Sequence, residues 1–192
     1  MAIINFLTKE IHCKLVYYGT GLGGKTANLK FIYSSLAAET RGEFVSLATA
    51  TERTLFFDYM GLELGQVQNF TTRFSMYTVP GQVEYNASRK LILNGADGII
   101  FVADSDPMRR QENISALRNM VDNLSTYGLT IHSVPVVIQY NKRDLTNAMP
   151  LSIMEDDLNP YQFPSFESVA ADGPGVFATL KQASKLVLNR LQ

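Results

Sequence analysis

Tryptophan is absent from this sequence, cysteine occurs once and histidine only twice, and no charge of either sign is in excess, the formal net charge being -1. A lone cysteine, Cys13, closes no internal disulfide, and its place beside the apolar run Leu15-Val16-Tyr17-Tyr18 predicts a packed strand position. His12 and His132 have neither metal-ligand spacing nor a nucleophile partner, so they read as surface or strand-end residues. Without a basic field to neutralise a polyphosphate backbone, nucleic acid is not an expected partner. No apolar stretch approaches the roughly 18 residues of a membrane span, and the opening Met-Ala-Ile-Ile-Asn lacks the regions of a signal peptide, which predicts a cytoplasmic protein with no integral membrane segment. Alanine at position 2 and the ending Asn189-Arg190-Leu191-Gln192 match neither the myristoylation nor the prenylation pattern. Repeats, low-complexity tracts and charge blocks are also missing, so residues 1–192 are expected to form a single domain, monomeric by itself.

What the chain does have is alternation of strand and helix. Short runs rich in β-branched and aromatic residues predict strands at Lys14 to Tyr18, Leu55 to Tyr59, Thr71 to Val79, Gly98 to Asp104, Val136 to Asn141 and Phe166 to Ala170. Helical spacing predicts helices at Lys25 to Leu36, Val83 to Leu93, Met108 to Tyr127, Leu151 to Leu158 and Val176 to Leu191. Such an order argues for an α/β fold, a mostly parallel sheet covered on both faces with ligands at the carboxyl ends of the strands. Leu55 to Tyr59 and Thr71 to Val79 have no room for a crossover helix between them and must pair antiparallel; the second is expected beside the first long strand.

Directly after that first strand comes Gly19-Thr20-Gly21-Leu22-Gly23-Gly24-Lys25-Thr26, and then a helix. This is a P-loop in its required context. Glycines permit a tight turn whose backbone N–H groups converge on one point, with no side chain in the way of the phosphates. Gly19, Gly21, Gly23 and Gly24 supply that turn and Ala27 follows it. Lys25 is placed to meet the β and γ phosphates, and the Thr26 hydroxyl to ligate Mg²⁺ at the helix N-terminus.

The base is read elsewhere. After Val136-Val137-Ile138-Gln139-Tyr140 the chain continues Asn141-Lys142-Arg143-Asp144. An ionised Asp144 only accepts hydrogen bonds; guanine offers two adjacent donors, whereas adenine offers a bare acceptor. Two charge-assisted bonds of about 1.5–3 kcal/mol each predict at least a hundredfold preference for GTP over ATP. Asn141 is expected to brace the base and the P-loop, Lys142 to lay its methylene stem along the base plane, and the loop at Ala170-Ala171 to donate a backbone N–H to guanine O6.

The combination of this P-loop, Arg53-Thr54 before Leu55-Phe56-Phe57-Asp58, then Thr78-Val79-Pro80-Gly81-Gln82, and finally Asn141-Lys142-Arg143-Asp144 resembles the MglA family, the bacterial Ras-like GTPases of gliding motility and cell polarity. The resemblance implies a P-loop NTPase fold of Ras-like type, with a six-stranded, mostly parallel sheet, one antiparallel strand and helices on both faces. It implies a GTP/GDP-dependent switch that hydrolyses GTP slowly with Mg²⁺ as cofactor, stimulated by a Roadblock-type activating protein resembling MglB. Motility or cytoskeletal effectors and recruitment to a cell pole belong to the same implication. Residue by residue, Gly81 would offer its N–H to the γ-phosphate, Gln82 would orient the attacking water, Thr54 would reach Mg²⁺, and Arg53 would act as an intrinsic arginine finger. The strand that starts at Leu55 would shift register between nucleotide states.

Thr78 stands where Ras-like enzymes generally carry an aspartate that holds Mg²⁺ through water, which predicts the loss of a charge near the ion. Thr20, Ala27, Ala50, Ser75 and Glu84 depart from the MglA pattern without removing a phosphate or base contact, and Glu84 puts partner choice in question. Two other readings compete: a GTP-binding scaffold paralogue with little turnover, and a small-molecule kinase, for which Met108-Arg109-Arg110 is the one lid candidate and reads better as a helix start.

Overall fold

Alternating side chains along β2 (Glu10–Gly19) send Cys13, Leu15 and Tyr17 to one face and Val16 and Tyr18 to the other, and all five are buried. A strand apolar on both faces can only sit inside a sheet with a layer on each side. The computed structural model describes residues 2–48, 54–81 and 85–191, and among them β2 lies at the centre of an eight-stranded sheet. The order is β3 (Arg41–Ala48), β4 (Thr54–Val67), β5 (Phe70–Thr78), β2, β6 (Gly98–Asp104), β7 (Val136–Asn141) and β8 (Ser165–Glu167), with β1 (Ile3–Asn5) paired to β2. Pairing is parallel for β2 with β5 and β6, for β6 with β7 and for β7 with β8; β1 with β2, β3 with β4 and β4 with β5 pair antiparallel.

Helices complete the α/β fold, which among the described residues are α1 (Lys25–Ser35), α2 (Asn86–Leu93), α3 (Arg110–Ser125), α4 (Leu151–Leu158) and α5 (Val176–Asn189). One core combines Val16 and Tyr18 with Leu117, Met120 and Leu124 of α3; the other combines Leu15 and Tyr17 with Leu29 and Ile32 of α1 and Leu180 and Val187 of α5. As the sequence suggests, the strand from residue 70 lies beside β2; the last helix buries Val176, Leu180, Ala183 and Val187 and leaves Phe177 exposed.

Two corrections to the sequence reading concern the edges. Among the described residues the sheet has eight strands rather than six, with β1 and β4 both running against the rest. After α1, where the sequence reading placed no strand, the chain forms β3, where Phe44 packs on Tyr33 while Val45 faces outward. Helix α3 starts two residues later than expected, because Pro107–Arg109 forms a 3-10 turn whose capping Asp106 side chain accepts from the Met108 N–H.

Between β7, α1 and α5 the core holds a polar knot. Gln139 and Asn28 exchange two amide hydrogen bonds of 2.7 and 3.0 Å, and Gln139 also donates to Thr179 Oγ1 at 3.2 Å; all three residues are fully buried. Replacing Gln139 by leucine would strand the Asn28 carbonyl oxygen in the interior. We expect Gln139→Leu to cost about 1–3 kcal/mol in denaturant unfolding; an unchanged midpoint would contradict this account.

Candidate nucleotide site

The phosphate loop leaves β2 at Gly19, whose φ of +135° and proximity to the Val102 carbonyl exclude a side chain: a Cβ there would lie 2.1 Å from that oxygen. It re-enters helix at Gly24, φ +102°, where a Cβ would strike the Asn141 amide nitrogen at 2.0 Å. Gly24 caps α1 with no side-chain acceptor, so the first-turn N–H groups of α1 have no side-chain cap, as an anion site requires. Lys25 is buried beneath the loop, and its ammonium donates to the carbonyls of Gly19 at 3.1 Å and Thr20 at 2.5 Å. Burial, followed by repulsion from Arg89, pushes its pKa down to about 7 against the opposing pull of Asp58; Arg109 adds to the repulsion. An anion placed at the loop would offset this accumulation of positive charge.

Thr26, one residue further, donates its hydroxyl to Asp58 Oδ2 at 2.5 Å. Asp58 lies on β4, fully buried, and accepts also from Ser46 at 2.5 Å and Thr78 at 2.8 Å, while its own N–H donates to Thr78 Oγ1 at 2.8 Å. The sequence reading put Thr78 where an aspartate is usual and expected a missing charge; the structure brings a carboxylate to that place from the neighbouring strand. A bulge at Leu64-Gly65 makes this possible. Near the hairpin turn Val67 faces Phe70, a pairing that would continue to Asp58 opposite Val79, but beyond the bulge Tyr59 faces Tyr77. Asp58 therefore falls opposite Thr78. The signal was present in Gly65 but depends on knowing the turn.

At the base end, the Asn141 amide donates to the Gly23 carbonyl at 2.9 Å and accepts from the Ala170 N–H at 2.8 Å, so one side chain joins the phosphate loop to the loop after β8. Ala170 is thus engaged by Asn141, with Ala171 exposed beside it. Lys142 has φ +64° and pairs with buried Asp104 at 2.6 Å, which fixes its stem across the end of β6. Asp144 is exposed in the turn that follows, where the Leu145 N–H donates to the Lys142 carbonyl at 3.2 Å.

Gly81 packs against the phosphate loop so closely that a Cβ on it would lie 2.0 Å from the Gly21 Cα. Gly19, Gly21, Gly23, Gly24, Lys25, Thr26 and Ala27 thus share one pole of the molecule with Gly81, Asn141, Lys142, Asp144, Ala170 and Ala171. Thr54 opens β4, and nothing is described of its side chain; Arg53 and Gln82 lie outside the described residues. Besides Asp58, the sequence reading gave no place at the phosphate loop to Arg109, which it took as part of a helix start; its guanidinium leaves the 3-10 turn to donate to the Gly21 carbonyl at 2.7 Å and pairs with Glu112 at 2.5 Å. Among the described residues no cluster of three histidine, cysteine or carboxylate side chains would hold a metal. A hydroxyl and a buried carboxylate at Thr26 and Asp58 nevertheless suit Mg²⁺, a hard ion that takes few protein oxygens and keeps its waters. No helix among the described residues is long and apolar enough to cross a membrane.

The family profile described as "ADP-ribosylation factor family" matches residues 3–172. The chain is 53% identical over 192 residues to the mutual gliding-motility protein MglA of Myxococcus xanthus, covering 100% of this chain and 98% of that protein. It is 28% identical over 126 residues to ADP-ribosylation factor-like protein 6 of Caenorhabditis elegans, covering 62% of this chain and 65% of the relative. Over 85 residues it is 33% identical to human ADP-ribosylation factor-like protein 4A, covering 44% and 40% of the two chains. With the phosphate loop, the base-side strand end and the mostly parallel sheet in place, these likenesses lead to one conclusion: the chain belongs to the ADP-ribosylation factor family of Ras-like small GTPases and, within it, to the MglA family.

Proposed function

We propose that this GTPase is a single-domain molecular switch, residues 1–192, that alternates between GTP and GDP forms and passes that state to partners in bacterial motility or cell polarity. The observation that carries the reading is the Asn141 bridge, which ties Gly23 on the phosphate side to Ala170 on the base side. A ligand gripped at one end is thereby measured at the other, as recognition of a whole nucleotide requires.

In this reading the amides from Gly21 to Thr26 and the Lys25 ammonium hold the phosphates, the Gly81 N–H meets the γ-phosphate, and Asp144 accepts from guanine N1–H and the 2-amino group. Lys142 covers one face of the base, and Ala171, with Ala170 held by Asn141, borders its O6. Thr26 and Thr54 are the protein hydroxyls for Mg²⁺, with Asp58 accepting from Thr26 and orienting it. Bound there, the ion neutralises charge on the β and γ oxygens. Gln82 orients the attacking water and Arg53 neutralises the transferring group. Motility is suggested by the name of the Myxococcus relative, and stimulation by a Roadblock-type partner of MglB type follows from the likeness to that family. Register change in β4 fits the bulges that already interrupt its pairing with both β3 and β5.

Three outcomes are expected. Titration of GTP, GDP and ATP should give at least about a hundredfold preference for guanine nucleotides in the wild type, on the strength of two charge-assisted bonds, and Asp144→Ala should lose it; equal ATP binding by the wild type would overturn the specificity argument. In single-turnover hydrolysis a Roadblock partner should raise the rate, and Arg53→Ala should cut the stimulated rate by about 10³-fold or more with GTP affinity kept. A rate indifferent to the partner would instead favour a scaffold that binds GTP with little turnover. Asp58→Asn should raise the Mg²⁺ concentration needed to retain nucleotide by about 10–100-fold, the usual effect of removing a group that orients a metal ligand; an unchanged Mg²⁺ requirement would remove Asp58 from the metal site.

A further inference from the structure

Arg89, on α2, is a nearly fully buried cation at 2% exposure that none of the expected site motifs contains. Its Nε donates to the Pro80 carbonyl at 2.8 Å, one Nη donates to the Gly81 carbonyl, and the other donates to Asn119 Oδ1 at 2.9 Å. The guanidinium carbon stands 5.9 Å from the centre of the Tyr18 ring. Asn119, on α3, accepts in turn from the Tyr18 hydroxyl at 2.7 Å and donates to Asn86 at 2.9 Å. Asn123 closes the network with bonds of 2.9 Å to the Tyr18 hydroxyl and to Asn86. Tyr18 directly precedes Gly19, so this chain of bonds runs from the root of the phosphate loop through α3 and α2 to the Pro80-Gly81 peptide.

Filling space between α2 and the sheet needs no charge, and burying a guanidinium against neutral acceptors is costly. What an apolar side chain lacks is a rigid planar fork that meets two successive carbonyls at once. That grip has a directional result. Among the described residues every peptide is trans, and in a trans peptide the N–H points opposite to the C=O. With the Pro80 carbonyl drawn to Arg89, the Gly81 N–H is turned away from the guanidinium, while Gly81 itself abuts Gly21. The charge is also felt at the loop, since Arg89 follows burial as the cause that depresses Lys25.

We propose that Arg89 is a positioning residue for GTP hydrolysis, its fork fixing the Pro80-Gly81 peptide against Gly21 so that the Gly81 N–H is aimed at the γ-phosphate. The inference rests on the GTPase reading above and adds the element that sets the Pro80-Gly81 peptide. It acts on triphosphate and transition state, not on the diphosphate, which ends before Gly81 is needed.

The test compares wild type, Arg89→Met, Arg89→Lys and Asn119→Ala by single-turnover GTP hydrolysis at saturation and by affinity for GDP and a non-hydrolysable GTP analogue. Arg89→Met should slow hydrolysis by about tenfold or more and lower the analogue-to-GDP preference by about fivefold, with GDP affinity within about twofold, the signature of an interaction absent from the diphosphate state. Arg89→Lys, which can still reach one carbonyl, should fall between the two. Unchanged hydrolysis, or equal losses for GDP and analogue, would reduce Arg89 to a packing residue and overturn the proposal. Should Arg89→Met fail to fold, Asn119→Ala removes the neighbouring anchor alone and is judged by the same split. A wild type that does not hydrolyse GTP defeats the GTPase reading, while the analogue-to-GDP preference still decides for or against Arg89.

Discussion

Two loops that hang from different strands must keep a fixed separation if one is to hold phosphates and the other a base, and a single buried amide supplies that constraint. Asn141 ends β7 and spans from Gly23 to Ala170. The bonds are individually modest, but each satisfies a backbone group that would otherwise be buried without a partner, so losing them costs more than their net worth. Glycine at position 24 follows from the same contact, since any side chain there would occupy the space of the amide. Beneath it, the Gln139–Asn28 pair repeats the arrangement one layer deeper, tying β7 to α1, with Asn28 donating also to the Gly24 carbonyl at 3.0 Å. The loop is thus held from its strand, its helix and its neighbour.

The side proposed to hold Mg²⁺ is built differently. The carboxylate that Ras-like enzymes generally carry at the end of β5 stands instead on β4, and the two threonines that flank it, Thr26 and Thr78, both donate to it. Chemistry at such a site requires oxygen donors at a place in space, whichever strand carries them. Because β4 is joined to β5 by a hairpin with one bulge, the side chain opposite Thr78 is set by that bulge, and a chain without it would present the other face of β4.

Much of this was legible in the sequence where local chemistry dominates. The phosphate loop, the Asn141 to Asp144 run, and the span of α4 depend on glycine, capping and apolar spacing within a few residues, and the structure carries them near the expected bounds. What escaped were relations between distant segments. Strand β3 is half exposed and carries Arg41 and Glu43 among its residues, so its alternation is weak. Short β1 has only three residues, too few to show an alternating pattern. Asp58, Arg89 and Arg109 belong to no local pattern; each becomes meaningful only when a strand register or a helix places it against a loop up to 88 residues away, as for Arg109 and Gly21.

The lone Cys13 is 2% exposed on β2, where burial pushes its thiol up to about 12. Alkylating reagents attack the thiolate, and at neutral pH this sulfur is both protonated and covered. Its modification must wait until the structure around β2 opens, so the rate at which a thiol reagent consumes the protein is a clock for that opening. With no second thiol in the chain to confuse the signal, nucleotides and partners that steady the fold would reveal themselves by slowing that clock.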